Sequence, residues 1–468
     1  MALSGKAFKR IEAIFGKKRC SRREVQRACY AYDTTARFHL PDAVVFAENA
    51  DEISRLLILA CELEFPVVPR GGGTGTTGGS LPVKGGVVVV MTRMNRILEI
   101  DTDNLVARFE PGVITEHFQR AVEKKGLFYP PDPSSAASST LGGNLAECAG
   151  GPRAVKYGVT RDYVLGLCAV LPTGEIVKAG VRTAKGVVGY DLTRLLVGSE
   201  GTLGIITEVT VRLLPLPEAV RTMVAVFGAM ERAAETVSEI IRRNIIPRSI
   251  EYMDRGSIAC VRDRMGDVFP EGSDAFLILE VDGREDAVDG DLAELVAICT
   301  AMEALAVRVA KTPAEAKILW QARKAMSPAL FRFAPHKINE DIVVPRSRIP
   351  DVVEKIDELR RRTGLTMVSF GHAGDGNIHF NIMLDKNDPV ALEKAEAAVS
   401  DLFDFCLALG GTISGEHGVG VTKAPFMPRE IDPPTLALMK RIKKAFDPKG
   451  ILNPGKMFEE EGGRQRRR

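Results

Sequence analysis

The sequence has no closely spaced cysteines. Its eight cysteines are scattered along the chain, and no C-x2-C pair occurs. This pattern argues against a disulfide framework, a zinc ribbon and an iron–sulfur cluster within the chain, and C-x-x-C-H, the haem attachment motif, is also absent. We therefore expect isolated core thiols, and any redox partner of this chain has to be another molecule.

The sequence also lacks long apolar runs and a dominant charge. No run approaches the roughly 18 apolar residues of a membrane span, and the N-terminus lacks the apolar core of a secretion signal. A cytoplasmic location is expected, with peripheral association at the inner membrane face as an alternative. Lys and Arg number 63 against 61 Asp and Glu, a net charge of +2, so no nucleic-acid partner is expected.

A length of 468 residues indicates two or three domains. Composition divides the chain into an N-terminal helical segment (1–40), a glycine-punctuated domain rich in short strands (41–218), a second α+β domain (219–424) and a C-terminal segment that returns to the first domain (425–468). The second domain is expected to be one sheet with helices on one face. The basic N-terminal stretch predicts an amphipathic helix that packs on the body, with membrane-surface or partner docking as the alternative.

A glycine-rich loop, "RGGGTGTTGGS", follows an apolar strand at residues 70–80. It formally contains G-x-G-x-x-G, but it leads into another β run rather than a helix, which argues against a Rossmann unit. Consecutive glycines let the backbone approach a ligand and expose N–H groups that suit a diphosphate. A merely flexible loop is the alternative.

Two histidines flank a predicted turn in "SFGHAGDGNIHFNI". A two-residue type I′ turn at Asp375-Gly376 would place His372 directly opposite His379, close enough for both imidazoles to bind one divalent metal. Two ordinary strand histidines are the alternative. A metal needs further ligands, and Glu416 in "GGTISGEHGVG" offers a carboxylate. Two histidines and one carboxylate are a common catalytic ligand set.

A predicted helix, "ILWQARKAMSPALFRF", carries a cation that could bind a carboxylate. Arg323 and Ser327 share one face of this helix at i, i+4, and an arginine fork suits a carboxylate. From the residues alone, a solvated helix arginine is the favoured interpretation.

Several further segments carry a family resemblance: "PPDPSSAASSTLGGNLAECAGG" (130–151), "VKYGVTRDYV" (155–164) and "VGSEGTLGIITEVTVRL" (197–213). With the glycine loop and the histidine segments, they resemble the D-2-hydroxyacid dehydrogenase branch of the vanillyl-alcohol oxidase / p-cresol methylhydroxylase superfamily over essentially the whole chain. The resemblance implies an α+β fold with a two-part FAD-binding domain of the p-cresol methylhydroxylase type. It also implies an α+β cap domain with an antiparallel, ferredoxin-like sheet.

The resemblance further implies the cofactors and their ligands. FAD would be non-covalent, because the glycine loop has no histidine to tether it. The implied FAD-binding residues are Arg70, Gly71, Gly72, Gly73, Thr74, Gly75, Thr76, Pro131, Asp132, Ser139, Thr140, Gly143, Gly151, Tyr157, Glu200 and Ile206. The implied ligands of a divalent zinc or manganese ion are His372, His379 and Glu416.

For the reaction, the resemblance implies His417 as the general base and as a substrate contact, together with Arg323, Ser327 and Asn381. Relatives that take 2-hydroxyglutarate carry a second substrate cation near Asn339, whereas here the nearest lysine is Lys337. This departure favours a small 2-hydroxy acid.

The expected function is FAD-dependent oxidation of a small D-2-hydroxy acid, D-lactate in the first place, to the 2-oxo acid. Electrons would pass to an external acceptor such as an iron–sulfur subunit, an electron-transfer flavoprotein or a cytochrome, and a homo-oligomer is expected. The alternatives are a glycolate oxidase flavoprotein subunit and a non-catalytic flavoprotein subunit of a larger complex. A metal-dependent hydrolase is a further alternative, which predicts a colourless protein.

Overall fold

The computed structural model describes residues 3–35, 37–265 and 268–458. It divides into two compact units. Unit 1 comprises the described residues up to Ala149, Val159–Leu216 and those from Glu416 onward, whereas unit 2 comprises Gly150–Gly158 and Pro217–Gly415. The predicted division into functional domains stays a prediction, and the basic tail at 462–468 lies outside the described residues.

The helices and strands are numbered in chain order. The α-helices are α1 Gly5–Phe15, α2 Glu24–Ala28, α3 Ala50–Leu63, α4 Thr115–Glu123, α5 Leu141–Glu147, α6 Ala154–Tyr157, α7 Leu192–Leu196, α8 Met230–Arg242, α9 Arg255–Met265, α10 Glu285–Ala301, α11 Pro313–Ala329, α12 Ile349–Thr363, α13 Pro389–Ala408, α14 Met427–Glu430 and α15 Pro433–Phe446. The strands are β1 Cys20–Ser21, β2 Ala43–Phe46, β3 Val67–Arg70, β4 Val87–Val90, β5 Ile97–Asp101, β6 Val106–Phe109, β7 Leu127–Phe128, β8 Val164–Val170, β9 Ile176–Gly180, β10 Ile205–Arg212, β11 Leu214–Pro215, β12 Ala219–Phe227, β13 Ser249–Asp254, β14 Ala275–Gly283, β15 Ala306–Val309, β16 His336–Val343, β17 Thr366–His372 and β18 Asn377–Leu384.

The described residues of unit 1 form three sheets. The first has the order β1-β2-β4-β3, in which β2, β4 and β3 run parallel. The valines of β2 and β4 are buried, as expected for short parallel strands covered on both faces. The second sheet, β5-β6-β10-β8-β9, is antiparallel, and β11 pairs with β7.

The N-terminal helix α1 packs on this unit. Ile11 and Phe15 are buried in the hydrophobic core, where they join residues of α3 and of the first sheet. Ser4 caps the helix by accepting a hydrogen bond from the backbone N–H of Ala7. This packing agrees with an amphipathic helix docked on the body.

Unit 2 is built on one seven-stranded antiparallel sheet with the order β15-β12-β14-β13-β17-β18-β16. Helices α9 and α11 share a buried cluster with one face of this sheet. Helices α8, α10, α12 and α13 also contact the sheet but add nothing to that cluster, so they cover the other face. The prediction of helices on one face only was therefore wrong. Strands β14 and β18 are buried almost throughout, and such strands need cover on both sides.

The short segment Gly150–Gly158 is tied to unit 2 by a buried carboxylate. The Asp282 side chain at the end of β14 is fully buried. It accepts hydrogen bonds from Lys156 Nζ (2.6 Å), Tyr157 Oη (2.9 Å) and the Arg248 guanidinium (2.9 Å). One carboxylate therefore neutralises two cations and joins three chain segments.

Replacing Asp282 with asparagine is expected to destabilise unit 2 by about 3–5 kcal/mol, because it leaves two cations without their buried counter-ion. Thermal and denaturant unfolding measure this loss. The matched control is Asp289→Asn, which removes the exposed partner of Arg221 and should cost no more than about 1 kcal/mol. Equal stability of the two variants would contradict the role of Asp282.

Candidate active site

The two hairpin histidines lie on the same face of the unit 2 sheet. Strand β17 pairs with β18 so that His372 lies opposite Asn377, and His379 is two residues further along β18. The predicted direct pairing of His372 with His379 was therefore wrong. A type I′ turn needs positive φ at both central residues, but at Asp375-Gly376 only the glycine has it, and the loop spans 373–376. Because the offset is two residues, both side chains still share a face.

The two imidazoles approach each other closely. His372 Nε2 and His379 Nε2 are 3.3 Å apart, and both residues are buried. A tetrahedral zinc ion with Zn–N bonds of about 2.0–2.1 Å separates its nitrogen ligands by about 3.3 Å. The pair therefore has the spacing that a shared divalent metal requires.

The third predicted ligand, Glu416, comes next in the sequence after the last residue of unit 2. Gly415, the last residue of that unit, donates its backbone N–H to Asp341 Oδ2 (2.9 Å), and the next residue is Glu416. One ligand atom each of His372, His379 and Glu416 lie within 4.8 Å of one another. Among the described residues, this is the group of His, Cys, Asp and Glu side chains that could hold a metal ion.

A buried glutamate connects this group to the predicted substrate cation. Glu251 of β13 lies opposite His372 in the sheet register, and its Oε1 bonds to His372 Nδ1. Its Oε2 accepts a hydrogen bond from Arg323 Nε at 2.7 Å. Full burial by itself raises the pKa of the Glu251 carboxyl, but the charges and hydrogen bonds of His372 and Arg323 outweigh it and lower that pKa.

Arg323 is held in a position that leaves the two terminal nitrogens of its guanidinium group available to a ligand. The guanidinium lies over the Phe370 ring, with its central carbon 4.6 Å from the ring centroid. Glu251 is its one hydrogen-bond partner among the described residues. The two terminal nitrogens can therefore donate in parallel to a carboxylate.

The remaining predicted substrate contacts lie on neighbouring elements of the same face. Asn381 is fully buried, and its Oδ1 has no hydrogen-bond partner among the described residues. Buried polar atoms are nearly always satisfied, so this oxygen is suited to a bound ligand. Ser327 Oγ accepts a hydrogen bond from Lys337 Nζ (2.6 Å), and burial lowers the pKa of that lysine.

His417 lies in unit 1 on a loop that is fixed from two sides. Thr77 donates its hydroxyl to the backbone oxygen of His417 (3.1 Å). The backbone N–H groups of Val419 and Gly420 each donate to the Glu200 carboxylate at 2.7 Å. Glu200, predicted as an FAD residue, therefore anchors the loop of the predicted base.

The glycine loop of unit 1 forms a close backbone cradle. It connects β3 to β4 without a helix, and a Cβ on Gly72 would overlap the backbone oxygen of Ser138. The hydroxyl of Thr76 is buried, with no hydrogen-bond partner among the described residues. A loop that excludes side chains and presents an unsatisfied hydroxyl fits the backbone approach and polar contact that FAD requires.

The other predicted FAD residues divide between the two units. The loop Gly71–Gly73 lies against Thr140 and the Ser138 backbone, which brings two of the predicted segments together. Arg70 is buried below this loop, where it donates to the Tyr32 backbone oxygen (2.7 Å). The remaining unit 1 residues of the set are Thr74, Gly75, Pro131, Asp132, Ser139, Gly143 and Ile206, whereas Gly151 and Tyr157 belong to unit 2.

A buried lysine in unit 1 makes stability depend on pH. Burial lowers the pKa of Lys456 to about 8, although the carboxylates of Glu200, Asp33 and Glu147 act in the opposite direction. Between this value and the usual 10.5, the unfolded chain holds the proton that the folded chain has released. Stability therefore rises with pH across that window, by about 3 kcal/mol for a pKa difference of about 2.5.

We expect Lys456→Met to remove this dependence. The melting temperatures of the variant and of the natural protein are compared from about pH 7 to pH 10. The melting temperature of the variant should be higher by the largest margin near pH 7, and this gap should shrink as pH rises. Lys449→Met is the control, because Lys449 is an exposed lysine whose pKa is raised by Glu64. A gap that stays constant with pH would argue against the buried charge.

Three residues of this site had no role in the sequence prediction: Glu251, Asp341 and Phe370. All three are buried in the sheet of unit 2, where Glu251 and Phe370 lie on interior strands and Asp341 lies on the edge strand β16. Acidic residues within the apolar strands "SIEYMD" and "NEDIVVP" were a signal, because a buried carboxylate needs a partner. Nothing in the sequence near Glu251 identifies that partner.

Comparison with known proteins matches both halves of the chain. Residues 216–457 match the family "FAD linked oxidases, C-terminal domain", and residues 41–180 match "FAD binding domain". The glycolate oxidase subunit GlcD of Bacillus subtilis is 47% identical over 93% of each chain. A D-lactate dehydrogenase of Anaerostipes hadrus is 36% identical over 89% of each chain.

Solved structures agree at the level of the fold. p-Cresol methylhydroxylase with substrate bound superposes with a TM-score of 0.79 at 16% identity, covering 97% of this chain and 96% of that one. The 4-ethylphenol oxidase of Gulosibacter chungangensis gives a TM-score of 0.77 at 18% identity, covering 97% and 98%. At these identities the likeness concerns the fold alone.

Proposed function

Because the chain belongs to the family of FAD-linked oxidases, we propose that it oxidises a small 2-hydroxy acid, D-lactate in the first place, to the 2-oxo acid with the help of a divalent metal. The observation that supports this proposal most is the grouping of His372, His379 and Glu416. Arg323 is linked to that group through Glu251.

The chain is an FAD-linked oxidoreductase, and the predicted family and the p-cresol methylhydroxylase-type fold are confirmed. No helix within the described residues has both the length and the apolar character to cross a membrane. Cellular location and oligomeric state stay predictions.

Cofactor chemistry would complement the protein groups. When bound, FAD would supply a hydride acceptor, and a divalent metal would supply Lewis-acid chemistry. His372, His379 and Glu416 would hold the metal, and the loop Arg70–Thr76 would hold the FAD diphosphate. Arg323 would bind the substrate carboxylate with its free terminal nitrogens, and His417 would take the hydroxyl proton.

The polar groups on this face favour a short substrate. Lys337, the lysine nearest to Asn339 in the sequence, is already hydrogen-bonded to Ser327 and is largely buried. A second carboxylate on the substrate would have to displace that bond. We therefore expect D-2-hydroxyglutarate to be a poor substrate relative to D-lactate.

Glycolate is the second candidate substrate. The relatives from Bacillus subtilis and from Escherichia coli are both named glycolate oxidase subunits, at 47% and 38% identity. Those names also support electron transfer to a partner subunit. All eight cysteines of this chain lie within the described residues and form no disulfide there, which supports an external acceptor.

A substrate panel tests the proposal. Under anaerobic conditions, D-lactate, L-lactate, glycolate and D-2-hydroxyglutarate are each added to the FAD-loaded protein, and bleaching of the oxidised flavin absorption is followed with and without a chelator. We expect D-lactate or glycolate to bleach the flavin, and the chelator to prevent it. A flavoprotein that none of the four acids bleaches would refute the proposed function.

A further inference from the structure

We infer that Glu251 is a positioning residue that couples metal binding to recognition of the substrate carboxylate. The inference rests on the proposed function, since it takes His372 as a metal ligand and Arg323 as the substrate cation. The sequence prediction gave Glu251 no role. One of its carboxylate oxygens bonds to His372 and the other bonds to Arg323.

The first half of the coupling concerns the tautomer of His372. An ionised carboxylate only accepts hydrogen bonds, so beside Glu251 the proton of a neutral His372 imidazole stays on Nδ1. The lone pair is then on Nε2, the atom that lies 3.3 Å from His379 Nε2. Glu251 thus selects the one tautomer that can bind a metal between the two histidines.

The second half concerns the orientation of Arg323. Glu251 Oε2 accepts from Nε, the nitrogen that lies away from the end of the fork, and Phe370 supports the guanidinium plane from one side. The side chain is 14% exposed, which restricts it further. These contacts fix the fork in the direction in which its terminal nitrogens remain available.

Glu280 provides a comparison that distinguishes this role from simple anchoring of helix α11. Glu280 of the adjacent strand β14 accepts hydrogen bonds from Trp320 Nε1 (2.6 Å) and Thr222 Oγ1 (2.7 Å). It therefore binds the same helix from the same sheet, but it does not contact a predicted metal ligand. Glu251 differs in that one of its oxygens bonds to His372.

The test is the affinity for Mn²⁺ measured by calorimetry on chelator-stripped, FAD-loaded protein, in the natural form and as Glu251→Gln and Glu280→Gln. In Glu251→Gln, the amide can donate to His372 Nδ1 and so favour the tautomer that blocks Nε2. We expect its Mn²⁺ affinity to fall by about 10–100-fold, with a raised KM for the hydroxy acid. Glu280→Gln should keep Mn²⁺ affinity within about twofold.

The outcomes separate the inference from the proposed function. Mn²⁺ binding by Glu251→Gln at the natural affinity would overturn the positioning role and leave the metal site intact. Failure of the natural protein to bind Mn²⁺ would refute the metal site itself. Circular dichroism and flavin content report on folding, and if Glu251→Gln does not fold, Glu251→Asp, which keeps the charge but retracts it by one methylene, is expected to show the same loss of affinity.

Discussion

Replacing His379 with alanine is expected to abolish binding of one divalent metal ion and to lower turnover by about 10³-fold. Lewis-acid assistance contributes several kcal/mol to a reaction of this kind, and about 4 kcal/mol corresponds to a factor of about 10³. His379 is a sharper probe than His372, because its removal leaves the bond between His372 and Glu251 in place. Metal content by elemental analysis and steady-state rates with an artificial electron acceptor measure the two effects.

The control for this variant is another histidine of the same sheet. His336 begins β16, where it accepts a hydrogen bond from the backbone N–H of Lys386 (3.1 Å), and it points to the opposite face from Asp341, five residues further on. His336→Ala should therefore retain metal and rate. If His379→Ala kept its metal and turned over normally, the histidine pair would have no part in the reaction.

Replacing His417 with alanine is expected to lower turnover by about 10²–10⁴-fold while metal and FAD stay bound. This range is the usual contribution of a general base. The loop should keep its place, because the groups that fix it are the backbone oxygen of His417 and the backbone N–H groups held by Glu200. Single-turnover flavin reduction, followed with and without added imidazole, isolates the proton-transfer step.

Thr77→Val provides the comparison for this base. It removes the hydroxyl that bonds to the His417 backbone oxygen but keeps the imidazole. The Thr77 backbone oxygen still accepts from Val421 (2.8 Å), so we expect at most about a tenfold loss, as for one neutral hydrogen bond. Near-normal flavin reduction by His417→Ala would show that another group takes the proton.

The glycine loop shows what local sequence can predict. Its position between two strands, with no helix after it, follows from the residues themselves, and β3 and β4 enclose it as expected. The helix that carries Arg323 was also predicted and is α11. Features encoded within about 20 residues were therefore accessible from sequence.

The hairpin shows where such reasoning fails. Asp375-Gly376 is a favoured turn dipeptide, but the backbone around it adopts a four-residue loop, and the register moves by two residues. The shared face of the histidines survived because a shift of two preserves the alternation of strand side chains. A shift of one would have sent His379 to the opposite face.

Glu251 could not be predicted for a different reason. It is separated from His372 by 121 positions, and their contact depends on the pairing of β13 with β17. Pairing between distant strands follows from packing of the whole sheet rather than from local pattern. The covering of both sheet faces by helices is a property of the same kind.

The fastening of residues 150–158 to Asp282 limits how this protein can be divided. A fragment that starts after Leu216 would contain Asp282 and Arg248 but not Lys156 or Tyr157, because those two come from an earlier part of the chain. If the later half of the chain is exchanged between relatives, in evolution or in the laboratory, Asp282 of one protein is combined with the 150–158 segment of another. The aspartate and the segment would then not have been selected as a pair. We therefore expect functional chimeras to be those in which the 150–158 segment and Asp282 come from the same protein.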